Sequence, residues 1–173
     1  KIKIKKNYDL IKVKKVNKIK KINYKIPSDI SSSAFFMVLT ALTKDAKLTI
    51  KNVNINSSRT GIITILKKMG VTIKYQNKKI YKGEKIADIV IRNPRFIKPI
   101  KCPTKYNSCA IDEFLIIFLV AAKAKGVSTF KDIGELNQKE SPRLTWGNKI
   151  LNSIGIKTIL TKNSIKIFGN PNV

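Results

Sequence analysis

Histidine is absent from the 173 residues, and cysteine occurs only twice, at Cys102 and Cys109. Neither a zinc site nor a cysteine–histidine nucleophile can be assembled from that stock, so no metal is expected and two buried or idle thiols are. Acidic residues are scarce too: ten Asp and Glu stand against 36 Lys and Arg, a formal charge of +26. Long apolar runs are missing. The longest, from Phe114 to Ala122, is far below the roughly twenty residues that span a bilayer, and no charged and then apolar leader opens the chain. A soluble, reducing, cytoplasmic setting with no membrane partner is expected.

Arginine is the rare cation, confined to Arg59, Arg92, Arg95 and Arg143. A pI near 10.2 would ordinarily point to nucleic acid, because basic side chains neutralise phosphates and release counterions. Here the lysines are scattered along every segment among Ile and Asn, with no basic arm or helix face. Trp146 and the dispersed tyrosines form no stacking platform. The charge therefore reads as a solvated lysine-rich surface, and a basic nucleic-acid-binding module stays as an alternative. Duplex DNA binding is expected to be weak and to fall steeply when salt is raised from about 50 to 200 mM in an anisotropy titration. Sequence-selective binding that persists at the higher salt would reverse this reading.

Apolar residues make up 43% of the chain, enough for one well-buried core. The opening KIKIKKNYDLIKVKKV alternates Ile or Val with Lys at period two, the pattern of half-buried strands turning at Asn7-Tyr8-Asp9. A strand from Lys21 through Pro27 is expected next. Asp29 or Ser31 then caps a helix whose apolar face is Ala34, Phe35, Val38, Leu39 and Leu42. Strand LTIKNV follows. Asn56-Ser57-Ser58 is placed as the cap of a second helix with Ile62, Ile63, Ile65, Leu66 and Met69 on one face and Gly70 at its end. Strands VTIKY and ADIVI complete the set.

The same order recurs: a strand over 97–101, a helix over 111–125, strand STFKDI, a helix over 142–154 ended by Gly155, and the pair IKTIL and IKIF. Ile50-Lys51-Asn52-Val53 aligns with Phe130-Lys131-Asp132-Ile133 at an offset of 80, and Gly70 with Gly155 at 85. Ser57-Ser58-Arg59 aligns with Ser141-Pro142-Arg143 at 84, after a larger loop, GELNQKE against NIN. Such a loop is where a functional insertion is expected. The expected class is α/β, built of repeated β-α-β-α-β-β units. We divide the chain as a single partial domain over 1–173: a leading strand pair at 1–20, a first unit at 21–95 and a second at 96–169. The final GNPNV reads as a polar loop between units.

Five segments laid over that repeat are PSDISSSAFF, NSSRTGIITILKKMG, GEKIADIVI, AIDEFLIIFLVAAKAKG and ELNQKESPRL. In order and spacing they resemble the carboxy-terminal domain of the 5-enolpyruvylshikimate-3-phosphate synthase family. The most specific feature is Asp112-Glu113 followed 27 residues later by Lys139-Glu140 within KESPRL. The resemblance implies an enolpyruvyl transferase-like fold of six such units in two domains, with helix amino termini facing the cleft between them. This chain would supply two adjoining units of the second domain. Alone, it is expected to be inactive.

The implied reaction transfers the enolpyruvyl group of phosphoenolpyruvate to the 5-hydroxyl of shikimate 3-phosphate and releases phosphate, with no cofactor. The full-length enzyme is expected to be a monomer. Residue by residue, Asp112 matches the base and a shikimate 3-phosphate ligand, and Glu140 the group that gives and recovers the methylene proton. Lys139 matches a shikimate 3-phosphate ligand and Arg143 the arginine that grips phosphoenolpyruvate. Each has a plainer reading: Asp112 as a helix cap, Glu140 as a loop carboxylate paired with Arg143, Lys139 as one more solvated lysine. Arg59, the counterpart of Arg143, reads as structural, and Asp29 as a cap. Ser28, Leu115, Asn137-Gln138 and Pro142 depart from the family's usual Gly, Pro, Arg-aliphatic and acidic residues. The related UDP-N-acetylglucosamine enolpyruvyl transferase is the closest alternative, disfavoured by IDEF and KESPRL.

Overall fold

The computed structural model describes residues 4–7, 10–13, 18 and 21–173, with side chains from residue 18 onward. Strands β1 (Ile4–Asn7) and β2 (Leu10–Val13) pair antiparallel, Ile4 opposite Val13 and Asn7 opposite Leu10, as the period-two pattern requires. The expected turn residues Tyr8 and Asp9 lie outside the described residues.

Helix α1 (Ile30–Leu42) starts at Asp29, whose Oδ2 accepts from the Ser32 amide at 2.7 Å. That satisfies one of the open first-turn donors and stabilises the helix by about 1 kcal/mol. Its buried stripe is Ile30, Ala34, Met37, Val38 and Ala41. Phe35 and Leu39, expected on that face, are 64% and 63% exposed. The stripe includes the small residues Ala34 and Ala41, and α1 packs against helix α3 (Phe114–Ala122) as well as the neighbouring sheet.

Strands β3 (Lys47–Asn54), β4 (Thr72–Tyr81) and β5 (Glu84–Arg92) form an antiparallel sheet in the order β3-β5-β4. The β4–β5 turn, Lys82-Gly83, has both φ angles positive (49° and 95°), so its twist matches the flanking strands. Two bulges, at Asn52 and Asn77, are tied by Asp88, which accepts from the Asn52 amide at 2.8 Å and Asn77 Nδ2 at 2.7 Å. Those bonds hold the Asp88 carboxyl below its ordinary range. Helix α2 (Gly61–Lys68) buries Ile62, Ile63, Ile65 and Leu66 as the pattern predicts, and Gly70 follows it at φ 97°. Asn56 does not cap it. Its Oδ1 accepts from the Ser58 amide at 3.1 Å, a local turn that delays the helix start to Gly61.

The second half repeats this plan with α3, β6 (Gly126–Phe130), α4 (Arg143–Ser153), β7 (Thr158–Leu160) and β8 (Ile165–Gly169), the sheet running β6-β8-β7. Asn52 and Asp132, 80 residues apart, both take a left-handed conformation (φ 52° and 55°). The strands expected at the start of each unit shrink to one parallel bridge apiece, Ser28 with Val53 and Lys101 with Thr129. Pro27 in the first segment and Pro99 and Pro103 around the second lack the N–H that a longer ladder needs. Helix α3 is shorter than 111–125 and packs on α1, α2, α4 and β8, placing the fully buried Phe114, Phe118 and Phe130 within 5.1–6.0 Å of one another. The two units meet closely: the Gly61 amide donates to the Cys109 carbonyl at 2.9 Å, and a Cβ at Gly61 would lie 2.7 Å from it. Among the described residues no helix is long and apolar enough to cross a membrane.

Candidate functional site

Half of the ten acidic residues fall between Asp112 and Glu140. Two of them, Asp112 and Glu140, contact one of the four arginines, Arg143. Asp112 lies in the turn ahead of α3, Lys139 and Glu140 in the loop ahead of α4, and Arg143 is the first residue of α4. Arg143 Nη1 donates to Asp112 Oδ1 at 3.1 Å, and Nη2 donates to Glu140 Oε2 at 2.7 Å. Lys139 Nζ stands 3.9 Å from the same Asp112 oxygen and 4.0 Å from Glu135 Oε1. All four residues singled out from the sequence thus converge on one edge. Glu135 joins them, and its spacing of four from Lys139 was the available signal.

Asp112 is not a helix cap: Glu113 occupies that position in α3, and no side chain closes the turn. The Arg143 side chain is 24% exposed and that of Glu140 82%. The Glu140 carboxyl sits below the ordinary range, held by its own backbone amide and then by Arg143. It is therefore ionised while Arg143 holds it.

The first unit carries a matching pair. Arg59 Nη2 is 3.6 Å from Asp29 Oδ1 and donates to Ser31 Oγ at 3.1 Å. Ser31 Oγ in turn donates to Glu113 Oε1 at 2.5 Å, so a chain of polar contacts links the two units beside Asp112. Arg59 thus contacts the cap residue of α1 and a serine of its first turn. A crevice of about 30 Å³ lies here, lined by Ser58, Arg59, Cys109, Asp112 and Glu113. That is room for one or two water molecules. Cys102 is buried, and burial pushes its thiol up to about 11, leaving it inert at neutral pH.

Glu113 is only 4% exposed. Burial pushes its carboxyl up, with the Ser31 hydroxyl and Arg59 opposing and Asp112 and Asp29 reinforcing. A raised folded-state pKa means the unfolded chain gives up this proton first as pH rises, so the native state is relatively favoured at low pH. Stability is expected to fall as pH climbs from the unfolded value, about 4.3, through the folded one. Glu113→Gln should flatten that part of a urea-unfolding profile across pH, and an unchanged slope would contradict the assignment.

The doubled α/β unit, with its carboxylates and guanidinium at helix starts, defines a fold shared with enolpyruvyl transferases. A Streptomyces tendae member, NikO, superposes over 82% of this chain and 30% of its own with a TM-score of 0.54 at 14% identity. EPSP synthase from Acinetobacter baumannii superposes far better, with a TM-score of 0.89 at 39% identity over 98% of this chain and 38% of that one. The family model of EPSP synthase (3-phosphoshikimate 1-carboxyvinyltransferase) matches residues 1–171, and the chain belongs to that family. The 3-phosphoshikimate 1-carboxyvinyltransferase of Ruthia magnifica is 42% identical over 144 residues, and that of Legionella pneumophila strain Lens 44% over 131. These alignments take in 83% and 76% of this chain, which spans about a third of each relative's length (33% and 30%).

Proposed function

We propose that this chain supplies one face of a site that transfers the enolpyruvyl group of phosphoenolpyruvate to the 5-hydroxyl of shikimate 3-phosphate. It does so as a single partial domain of two units, 21–95 and 96–169, behind the leading pair at 1–20. The observation that carries the reading is the convergence of Asp112, Lys139, Glu140 and Arg143, joined by contacts of 2.7 to 3.9 Å.

Asp112 removes the 5-hydroxyl proton as that oxygen attacks the enol carbon, and the carbon–oxygen bond forms while the methylene carbon takes a proton from Glu140. Phosphate then leaves the tetrahedral adduct as Glu140 recovers the proton, regenerating the double bond. Arg143 grips phosphoenolpyruvate, whose carboxylate and phosphate suit its planar fork, and Lys139 holds shikimate 3-phosphate. Arg143 is held by Asp112 and Glu140. An anionic substrate that takes over the guanidinium releases both carboxylates, letting Glu140 bind the proton it must donate. No cofactor takes part in these steps. The full-length protein acts as a cytoplasmic monomer on these two anions, with no nucleic-acid partner.

The test is phosphate release by the full-length protein from phosphoenolpyruvate with either acceptor. Release with shikimate 3-phosphate and none with UDP-N-acetylglucosamine is expected, and the 173-residue chain alone should release none. The opposite acceptor preference would overturn the proposal.

A further inference from the structure

Helix α4 carries Arg143 at its first position, yet the residue at its cap is Pro142, which has no side-chain acceptor. The ring still serves a purpose. Pro142 has φ −72° and ψ 74°, and the Arg143 amide donates to the Ser141 carbonyl at 2.7 Å, an inverse γ-turn that the fixed proline φ favours. What the proline gives up is a partner for the open amides of the first turn.

That partner arrives from eight residues upstream. Asn137 Oδ1 accepts from the Thr145 amide at 3.1 Å and from the Thr145 hydroxyl at 3.4 Å. Thr145 is the third residue of α4, the donor a Ser or Asp at the cap position would engage. The residues just before the two closing positions, Leu136 and Leu144, are fully buried. The Asn137–Thr145 contact therefore closes a loop anchored at both ends, and Lys139, Glu140 and Arg143 all lie inside it.

We propose that Asn137 is a positioning residue for the site: its side chain replaces the cap Pro142 withholds and fixes the loop bearing Lys139, Glu140 and Arg143. The inference rests on the functional reading above for what the loop does, and on geometry alone for how it is held.

In the full-length protein, Asn137→Ala is expected to lower kcat/KM for both substrates roughly tenfold, the scale of a lost helix cap. Asn137→Asp keeps the acceptor and should keep most of that value. Asn137→Ala combined with Pro142→Ser, whose hydroxyl can reach the same amide, should recover near wild-type kcat/KM. In the 173-residue chain, hydrogen exchange at the Thr145 amide should speed up in the single variant and slow again in the double one. A purely structural cap would lower the melting temperature and leave kcat/KM unchanged. That result, or a double variant that regains Thr145 protection without kcat/KM, overturns the proposal. A wild-type protein inactive on both substrates would instead sink the functional reading, while the exchange data still decide whether Asn137 closes the loop.

Discussion

Asp112→Ala and Glu140→Ala are each expected to lower turnover of the full-length protein by about 10²–10⁴-fold, the range lost with a general acid or base. The two should differ in binding. Asp112 meets both cations of the site, Arg143 at 3.1 Å and Lys139 at 3.9 Å, so its loss removes a partner from each, together with the contact proposed for the shikimate ring. KM for shikimate 3-phosphate should rise with it. Glu140 is mostly exposed and, among the described residues, pairs only with Arg143, so its removal should leave KM values close to wild type while turnover collapses. Steady-state kinetics with each substrate varied in turn separate the two patterns. Near-wild-type turnover for both variants would leave the family fold standing and remove this mechanism.

Arg143→Lys is expected to raise KM for phosphoenolpyruvate roughly 10- to 100-fold, the worth of one or two charge-assisted hydrogen bonds. Charge is conserved in this substitution, so a site that needed only a cation would scarcely notice it. The guanidinium, however, uses its two terminal nitrogens on two different carboxylates, at 3.1 and 2.7 Å. A substrate carrying both a carboxylate and a phosphate meets the same two-pronged donor, which a lysine ammonium cannot reproduce. KM for shikimate 3-phosphate should change little. Equal weakening of both substrates would mean that Arg143 supports the loop and does not grip the donor.

Much of this arrangement was legible in the sequence, for identifiable reasons. The offset of 80 that equates Asn52 with Asp132 reflects a left-handed residue at matching places in the two units, and Gly70 and Gly155 end equivalent helices with positive φ. The meeting of Asp112 with Arg143 was legible because both belong to short, specific motifs. The buried face of α1 was not. Its sequence, ISSSAFFMVLTAL, is apolar around much of its circumference, so periodicity could not say that Ala34 and Ala41 are buried while Phe35 and Leu39 face outward. The opening strand of each unit was over-read because extended, proline-flanked segments resemble strands whether or not a ladder forms. Contacts between the units were beyond reach: Ser31 and Glu113 are 82 residues apart, and only the fold brings them to 2.5 Å. Asn137 was noticed as a departure from the family. Its bond to Thr145, across the proline that needs it, became visible only in three dimensions.

Proton transfer at the methylene carbon is read most directly by running the full-length protein in deuterium oxide with phosphoenolpyruvate and shikimate 3-phosphate and following deuterium at that carbon by NMR. Wild-type protein should wash deuterium into the methylene group during turnover, and Glu140→Gln should abolish that exchange. Exchange that continues at the wild-type rate in Glu140→Gln would contradict the placing of the transferable proton on Glu140.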